Sequence, residues 1–288
     1  MILDSHQHVW DLNAADYPWL GPQHHPINRT IELSEAHERM AAYGVERTIL
    51  VQAADNAAET QHLLRVADGD PRVAGVIGWV PLDQPSITTA MLASRDRRWV
   101  GVRSLIHDRP NDDWILGCDE GLAAVAQAGL PLDYVTNGPD ALRHVPGIAA
   151  RHPNLRIVID HLGKPPIGGT SKELAEWRDL LAACTENPQV YAKVSGLYGP
   201  AGNLTGWSPA EVRSAVGTAL ELFGPTRVMW GTDWPVSELA GGYERVTGGL
   251  LGLLGEMLQG EDLAAVLGGV AARCYGLQLN DELNEETA

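Results

Sequence analysis

The chain has 288 residues and a mass of 31.0 kDa, enough for one large core. Its 21 Lys and Arg against 37 Asp and Glu leave a formal net charge of −16, a surface that repels nucleic acid and anionic membrane yet leaves room for a small anionic ligand held by a local arginine. No charged-then-apolar leader opens the sequence and no apolar run reaches the ~18 residues of a membrane helix, while Cys118, Cys184 and Cys274 are too scattered for a zinc pattern or a disulfide framework, so free thiols in a reducing cytoplasm are expected.

The first strand-like run, residues 2–9, carries His6 and His8. Side chains two apart on a strand share a face, so two imidazoles stand together where they can grip a metal ion or polarise a carbonyl. A pair of exposed surface histidines is the alternative, and the apolar neighbours argue against it. Asp4 shares that face and can orient the pair from below. A long loop, 11–29, follows, with Tyr17, Trp19, His24 and His25. It reads as a lid or pocket wall, or as a plain surface loop.

From there, short β-branched runs alternate with amphipathic segments. A helix over 34–43 leads to a strand over 47–53, and a helix over 57–68 to a strand over 73–80. A strand over 100–106 precedes a helix over 120–128, a strand over 130–135 and a helix over 140–151. Strands over 156–161, 190–195 and 227–232 are separated by helices over 171–187 and 209–223. A helical pair, 243–258 and 261–275, ends the ordered part. Ser34, Ser171 and Ser208 read as N-caps, the last followed by Pro209 at the first helical position. The tail 277–288 is acidic, and residues 280–288 are expected to fray.

Runs apolar on both faces suit a parallel sheet covered by helices. Eight strands in alternation with helices in this length give an α/β fold, a (β/α)8 TIM-like barrel, with one domain over residues 1–276. An open doubly wound sheet is the rival, but Val9-Trp10-Asp11-Leu12 stands where its glycine-rich turn belongs. In a barrel, functional side chains collect at the C-terminal strand ends. Read in order, those ends bring His6 and His8, Gln52, Trp79, Arg103 and His107, Asp133 and Tyr134, Asp160 and His161, Lys193 and Ser195, and Asp233 before Trp234. Nearly every strand delivers a polar or ionisable group to one rim, which a purely packed core does not do.

Five blocks carry a family resemblance: His6-Gln7-His8-Val9-Trp10-Asp11, Gly101-Val102-Arg103, Asp160-His161-Leu162-Gly163-Lys164-Pro165, Lys193-Val194-Ser195-Gly196-Leu197 and Gly231-Thr232-Asp233-Trp234-Pro235. Together they resemble the amidohydrolase superfamily, a metal-dependent-hydrolase type of barrel. The nearest branch looks like the sugar-lactone hydrolases related to L-fuconolactonase and L-rhamnonolactonase. The resemblance implies a carbohydrate-metabolising hydrolase that opens a small-molecule sugar lactone to its acid. It implies that His6 and His8 match the first-strand pair, that His161 matches a site-facing histidine, and that Asp233 matches the aspartate taking a proton from the attacking water. No Lys or Glu at the end of strand 4 and no His on strand 5 argue against a two-metal centre. One divalent metal, zinc, held by His6 and His8 with His161 or Asp233, or no metal at all, are the readings left. Without metal, the histidines would donate to the developing oxyanion.

Beside that resemblance, Arg103 reads as a clamp for an anionic or carbonyl oxygen, or as an ion-pair partner of a carboxylate such as Asp133. Asp133 should face the barrel mouth, since the other face of its strand meets apolar helices. Lys193 shares a face with Ser195, and either can bind a substrate hydroxyl or pair with a site carboxylate. Trp10, Trp79 and Trp234 read as sugar-stacking faces or as core. Tyr134 is carried as a substrate contact, though strand phase leaves its direction open. An isomerase or non-oxidative decarboxylase on the same scaffold, and a non-catalytic sugar-acid binder, are the competing functions. A homo-oligomer stays open.

Overall fold

In a computed structural model, residues 1–109, 111–198 and 207–278 are described. Eight parallel strands form one sheet in chain order: β1 (Ile2–Gln7), β2 (Val45–Val51), β3 (Val73–Gly78), β4 (Trp99–Ser104), β5 (Leu132–Tyr134), β6 (Ile157–Ile159), β7 (Val190–Val194) and β8 (Val228–Trp230). The last strand returns to the first. His8 N donates to Trp234 O at 2.7 Å, Asp233 N to His6 O at 2.8 Å, and Ser5 Oγ to Trp230 O at 2.7 Å. The expected (β/α)8 barrel is the fold, and its seam runs through the two blocks that carry His6, His8 and Asp233.

The helices between strands are α1 (His37–Ala42), α2 (Ala57–Gly69), α3 (Pro85–Ala93), α4 (Asp119–Gln127), α5 (Val145–Arg151), α6 (Ser171–Cys184) and α7 (Pro209–Phe223). After β8 come α8 (Tyr243–Met257), α9 (Gly260–Ala264) and α10 (Val270–Tyr275). The sequence reading did not separate out α3. Its apolar stripe is thin, since only Thr88 and Leu92 are buried, and Ile87, Thr88 and Thr89 in a row lower helix propensity. Two caps also differ. Thr170, not Ser171, caps α6, accepting from Glu173 N at 3.2 Å, while Thr170 N donates to Glu173 Oε2 at 2.7 Å. Ser34 lies inside a short 3₁₀ turn that begins after Glu32. Ser208 caps α7 as expected, in a box with Glu211. The last helical segment breaks in two around residues 265–269, a π-turn at Gly268-Gly269 where the chain meets Met1 O and Leu3.

Two apolar layers result. The outer layer, including Leu50, Val102, Leu132, Ile157 and Val194, packs the strands against the helix ring. The inner one joins Leu3, Ile49, Ile77, Val158 and Met229 to Val270, Ala271, Cys274 and Tyr275 of α10. Arg156 at the start of β6 donates to Cys274 O, so α10 closes the N-terminal end of the barrel. The polar rim therefore stands at the opposite, C-terminal end, above an apolar plug. All three cysteines are free and buried. No helix among the described residues is long and apolar enough to cross a membrane. The expected frayed tail, 280–288, lies outside the described residues.

Candidate active site

A cavity of about 200 Å³ opens at the C-terminal rim. Drug-sized pockets begin near ~300 Å³, so this one suits a single small ring. Its polar wall is His8, Arg103, His107, His161, Lys164, Tyr198 and Asp233, and its apolar wall is Trp10, Trp19, Ala53, Leu105, Val135 and Val236. The residues come from seven strand ends, all but that of β3, and the long first loop. That loop folds back by paired hydrogen bonds between Trp10 and Ile31, at 3.2 and 2.8 Å. Trp10 Nε1 donates to Arg29 O and Trp19 Nε1 to Ala53 O, both at 2.7 Å, with the two indoles edge to face at 5.4 Å. The pocket-wall reading of the loop holds for Trp19. His24 instead packs on Trp19 from behind, and Tyr17 is in the outer core.

Asp233 and the histidines form the floor. Asp233 Oδ1 lies 3.4 Å from His8 Nε2 and 3.6 Å from His6 Nε2. His6 is wholly buried, 4.9 Å from the His8 ring and 4.7 Å from the His161 ring between centroids. It thus lies beneath the cavity, while His8 and His161 reach its wall. His8 Nδ1 donates to Val51 O at 2.7 Å, because a carbonyl can only accept. His8 Nε2 is therefore the ring nitrogen turned towards Asp233. Asp4 holds the floor from below, as expected of it, by gripping backbone: it accepts from His6 N at 3.0 Å and Thr232 N at 2.9 Å.

The electrostatics follow from burial and neighbours. Burial alone would raise the Asp233 carboxyl, but His161, His8 and His6 outweigh it and hold it far below the ordinary range. Asp233 is thus ionised at any neutral pH. Burial pushes His161 down to about 4 against the opposing charges of Asp233 and Asp160. His107 is held to about 3 by burial and by the Lys164 and Arg103 charges. Tyr198 faces Asp233; burial and then that charge push its phenol well above its usual value. The His161 and His107 rings are therefore neutral, and Tyr198 keeps its proton to donate.

His161 and Lys164 stand on a strained turn. His161, Leu162 and Lys164 all have φ of +54°, as does Asp233. Such left-handed residues each cost about 1–2 kcal/mol unless glycine. Trp177 Nε1 donates to Leu162 O at 2.8 Å and Lys164 N to His161 O at 2.9 Å, which hold the turn. Gly196 of β7's extension lets the His161 ring approach: a Cβ there would sit 2.3 Å from His161 Nδ1. That ring nitrogen lies 3.0 Å from Ser195 Oγ.

Several expected substrate contacts fall elsewhere. Lys193 does not reach the cavity. It is wholly buried and paired with Asp133 and, at 3.4 Å, with Asp160. A barrel interior surrounds β7 at that height, so its ammonium is drawn to the carboxylates of β5 and β6 rather than to the mouth. Asp133 is likewise interior, and Tyr275 Oη donates to it at 2.7 Å. Tyr134 points to the helix side, donating to Ala141 O at 3.0 Å. Trp234 turns its Nε1 to Glu238 at 2.9 Å and lines a different surface recess with Pro26 and Arg29. Trp79 is half-buried and absent from the lining. Arg103 does line the cavity, yet its Nε meets Asp160 Oδ2 at 3.0 Å and its Nη1 donates to Gln52 O at 2.9 Å. Its ion-pair partner is thus Asp160, not Asp133. The sequence reading passed over Lys164 and Tyr198 as site residues. Lys164 sits inside a quoted block, so its place beside His161 was within reach; Tyr198 follows one block by a single residue.

His6, His8 and Asp233 each offer one ligand atom, all within 4.8 Å of one another. Two donors at tetrahedral angles on one ion ~2.1 Å away lie about 3.4 Å apart, which the Asp233–histidine spacings match. A backbone carbonyl behind His8 Nδ1 is a common outer support for a metal-bound imidazole. The set could hold one divalent ion. His161 is not of this trio; it groups with His6 and Asp160, whose oxygens already face Arg103 and Lys193.

A family model described as Amidohydrolase matches residues 3–277. An L-fucono-1,5-lactonase of Burkholderia ambifaria is 35% identical over 245 residues, 83% of this chain and 82% of its own. An L-fucono-1,5-lactonase of Burkholderia multivorans is 33% identical over 286 residues, 96% of each chain. Among solved structures, an amidohydrolase from Burkholderia multivorans with bound zinc superposes with a TM-score of 0.87 at 31% identity, over 96% of this chain and 100% of that one.

Proposed function

The chain belongs to the amidohydrolase family, and from that premise we propose that it hydrolyses a sugar lactone, an aldono-lactone such as L-fucono-1,5-lactone, to the open acid. The relatives named as L-fucono-1,5-lactonases support the substrate class. The observation that carries the chemistry is the buried Asp233 carboxyl between imidazoles at the floor of a ring-sized cavity. Asp233 takes a proton from a water as its oxygen attacks the lactone carbonyl carbon. The carbonyl π electrons move to oxygen, where His161 and Arg103 on the wall are placed to donate. When the tetrahedral adduct collapses, the ring C–O bond breaks. The protonated Asp233, a strong acid in this setting, returns the proton to the leaving alkoxide. Lys164 and Tyr198 offer donors to the sugar hydroxyls, and Trp19 offers an apolar face to the ring, backed by the wholly buried Trp10.

His6, His8 and Asp233 would hold zinc, the ion in the Burkholderia multivorans structure. Bound there, a zinc ion supplies Lewis acidity and lowers the pKa of a coordinated water. A panel of 1,4- and 1,5-aldono-lactones, with acid release followed by a pH indicator, tests the reading. Turnover well above background is expected for at least one lactone, with kcat lower by about 10²–10⁴-fold in Asp233→Asn. Folded protein that opens no lactone, or an Asp233→Asn variant as active as wild type, overturns it.

A further inference from the structure

Beside the ring-sized cavity lies a second recess of about 350 Å³. Lys164, Gly196 and Tyr198 line both spaces. Gly196 has no side chain, and a Cβ there would stand 2.3 Å from His161 Nδ1, so only two side chains divide the two. One of them is a lysine, whose four-carbon stem is flexible. Pro139, Pro165, Pro166 and Leu197 wall the recess, and the exposed Asn137 adds an amide.

The charge of this recess runs against that of the chain. The sequence carries 37 Asp and Glu and a formal net charge of −16, yet no carboxylate among the described residues lines the recess. Its one charged group there is Lys164. The chain has three lysines. Lys172 pairs with Glu176 and Lys193 with Asp133, whereas Lys164 has no carboxylate partner among the described residues. Asp233, Asp108 and Asp160 act on its charge only from outside the recess. Arg103, the other cation of the ring cavity, is already held by Asp160. A half-buried ammonium without a counter-charge is costly to keep unless a ligand supplies one.

We propose that the recess is a subsite for an anionic group, a phosphate or a carboxylate, carried on the exocyclic chain of the lactone and paired with Lys164. The ring sits in the first cavity, its chain passes Gly196, and the anion meets the ammonium. An ammonium has three N–H donors, so Lys164 can serve a ring hydroxyl and the anion together. The prolines give the subsite walls that need little ordering on binding. The preferred substrate is therefore an acidic sugar lactone, and ring opening leaves a product with an anionic group at each end.

The inference rests on the lactonase reading, so its test begins with rings that the reaction does not consume. Galactose, galactose 6-phosphate and galacturonate share one ring and differ in the terminal group. Titration calorimetry should give at least one anionic ring a Kd about tenfold or more below that of galactose, the factor a charge-assisted bond supplies. Whichever anion binds more tightly identifies the source. The advantage should shrink as salt rises from about 0.01 M to about 1 M, and fall towards unity in Lys164→Met. Asn137→Asp sets a like charge on the recess, outside the ring cavity, and should weaken anion binding several-fold with galactose binding unchanged. Asn137 is exposed, so this variant keeps the test if Lys164→Met does not fold. Equal affinity for the three rings, no binding of either anionic ring at millimolar concentration, or an anion preference that survives either variant intact overturns the proposal. The corresponding galactono-, 6-phosphogalactono- and galactaro-1,5-lactones then report kcat/KM. Opening of the neutral lactone with no gain for the acidic ones removes the subsite and keeps the lactonase reading. Binding of an anionic ring without opening of any lactone does the reverse.

Discussion

Replacing Gly196 by alanine separates backbone strain from crowding of His161. The added Cβ would stand 2.3 Å from His161 Nδ1, 2.7 Å from Cε1 and 2.8 Å from Cγ. Ordinary contact begins near 3.4 Å, so the ring must retreat by about 1 Å, or the β7 extension must. Either movement breaks the 3.0 Å contact with Ser195 Oγ, worth about 1 kcal/mol as a neutral hydrogen bond. Gly196 also has φ of +54°, where alanine costs about 1–2 kcal/mol. The control is Gly129→Ala. Gly129 has φ of +70° and no atom within 4 Å of its Cβ position, so it carries the strain without the clash. Both variants should melt several degrees lower, at about 2–4 °C per kcal/mol for a chain of this size. Only Gly196→Ala should lose activity, about 10²-fold in kcat for a catalytic group displaced by 1 Å. Melting curves and lactone turnover on the two purified variants are the assay. Wild-type kcat in Gly196→Ala, or an equal loss in Gly129→Ala, would refute the idea that Gly196 exists to seat His161.

Two further outcomes turn on pH. Since burial holds His161 to about 4 and Asp233 ionises lower still, kcat/KM should stay level down to about pH 5.5 and fall only near pH 4; an inflection near the ordinary histidine value of about 6.5 would show that His161 charges in the working range. Glu59 accepts from Ala53 N and Ala54 N at 2.7–3.0 Å, and burial raises its carboxyl to about 8 from an ordinary 4.5. Its folded pKa lies above the unfolded one, so the native state binds the extra proton between those values. Its contribution is then complete below about pH 4.5 and lost as pH rises towards about 8. The Tm of wild type should accordingly decline relative to Glu59→Gln between pH 5 and pH 8, and parallel Tm profiles would contradict the assignment.

Much of the architecture was legible because period and order are local properties. Short β-branched runs separated by amphipathic segments mark strands covered on both faces, and eight of them in alternation leave little choice but a barrel. His6 and His8 could be placed on one face because strand period is 2. The grouping of His161 and Asp233 with them came from blocks at the rim, and the structure does put all four within one small volume. Tyr134 went astray for a physical reason. β5 has only three residues, too few for the alternation to tell the interior face from the helix face. The helix α3 was missed because its buried stripe is two residues wide.

Sequence alone thus determined which residue types stand at the C-terminal rim, and in what order round it, because strand ends follow from periodicity along the chain. Height within the barrel and partners across it are properties of closure, and only the tertiary structure decided them. Closure sank Lys193 among Asp133, Asp160 and His6 rather than in the mouth. It paired Arg103 with Asp160 and brought the first loop's Trp19 over the cavity. Residues 60 and more positions apart meet there, as in Lys193 with Asp133, because a buried charge takes the nearest opposite charge that the fold supplies.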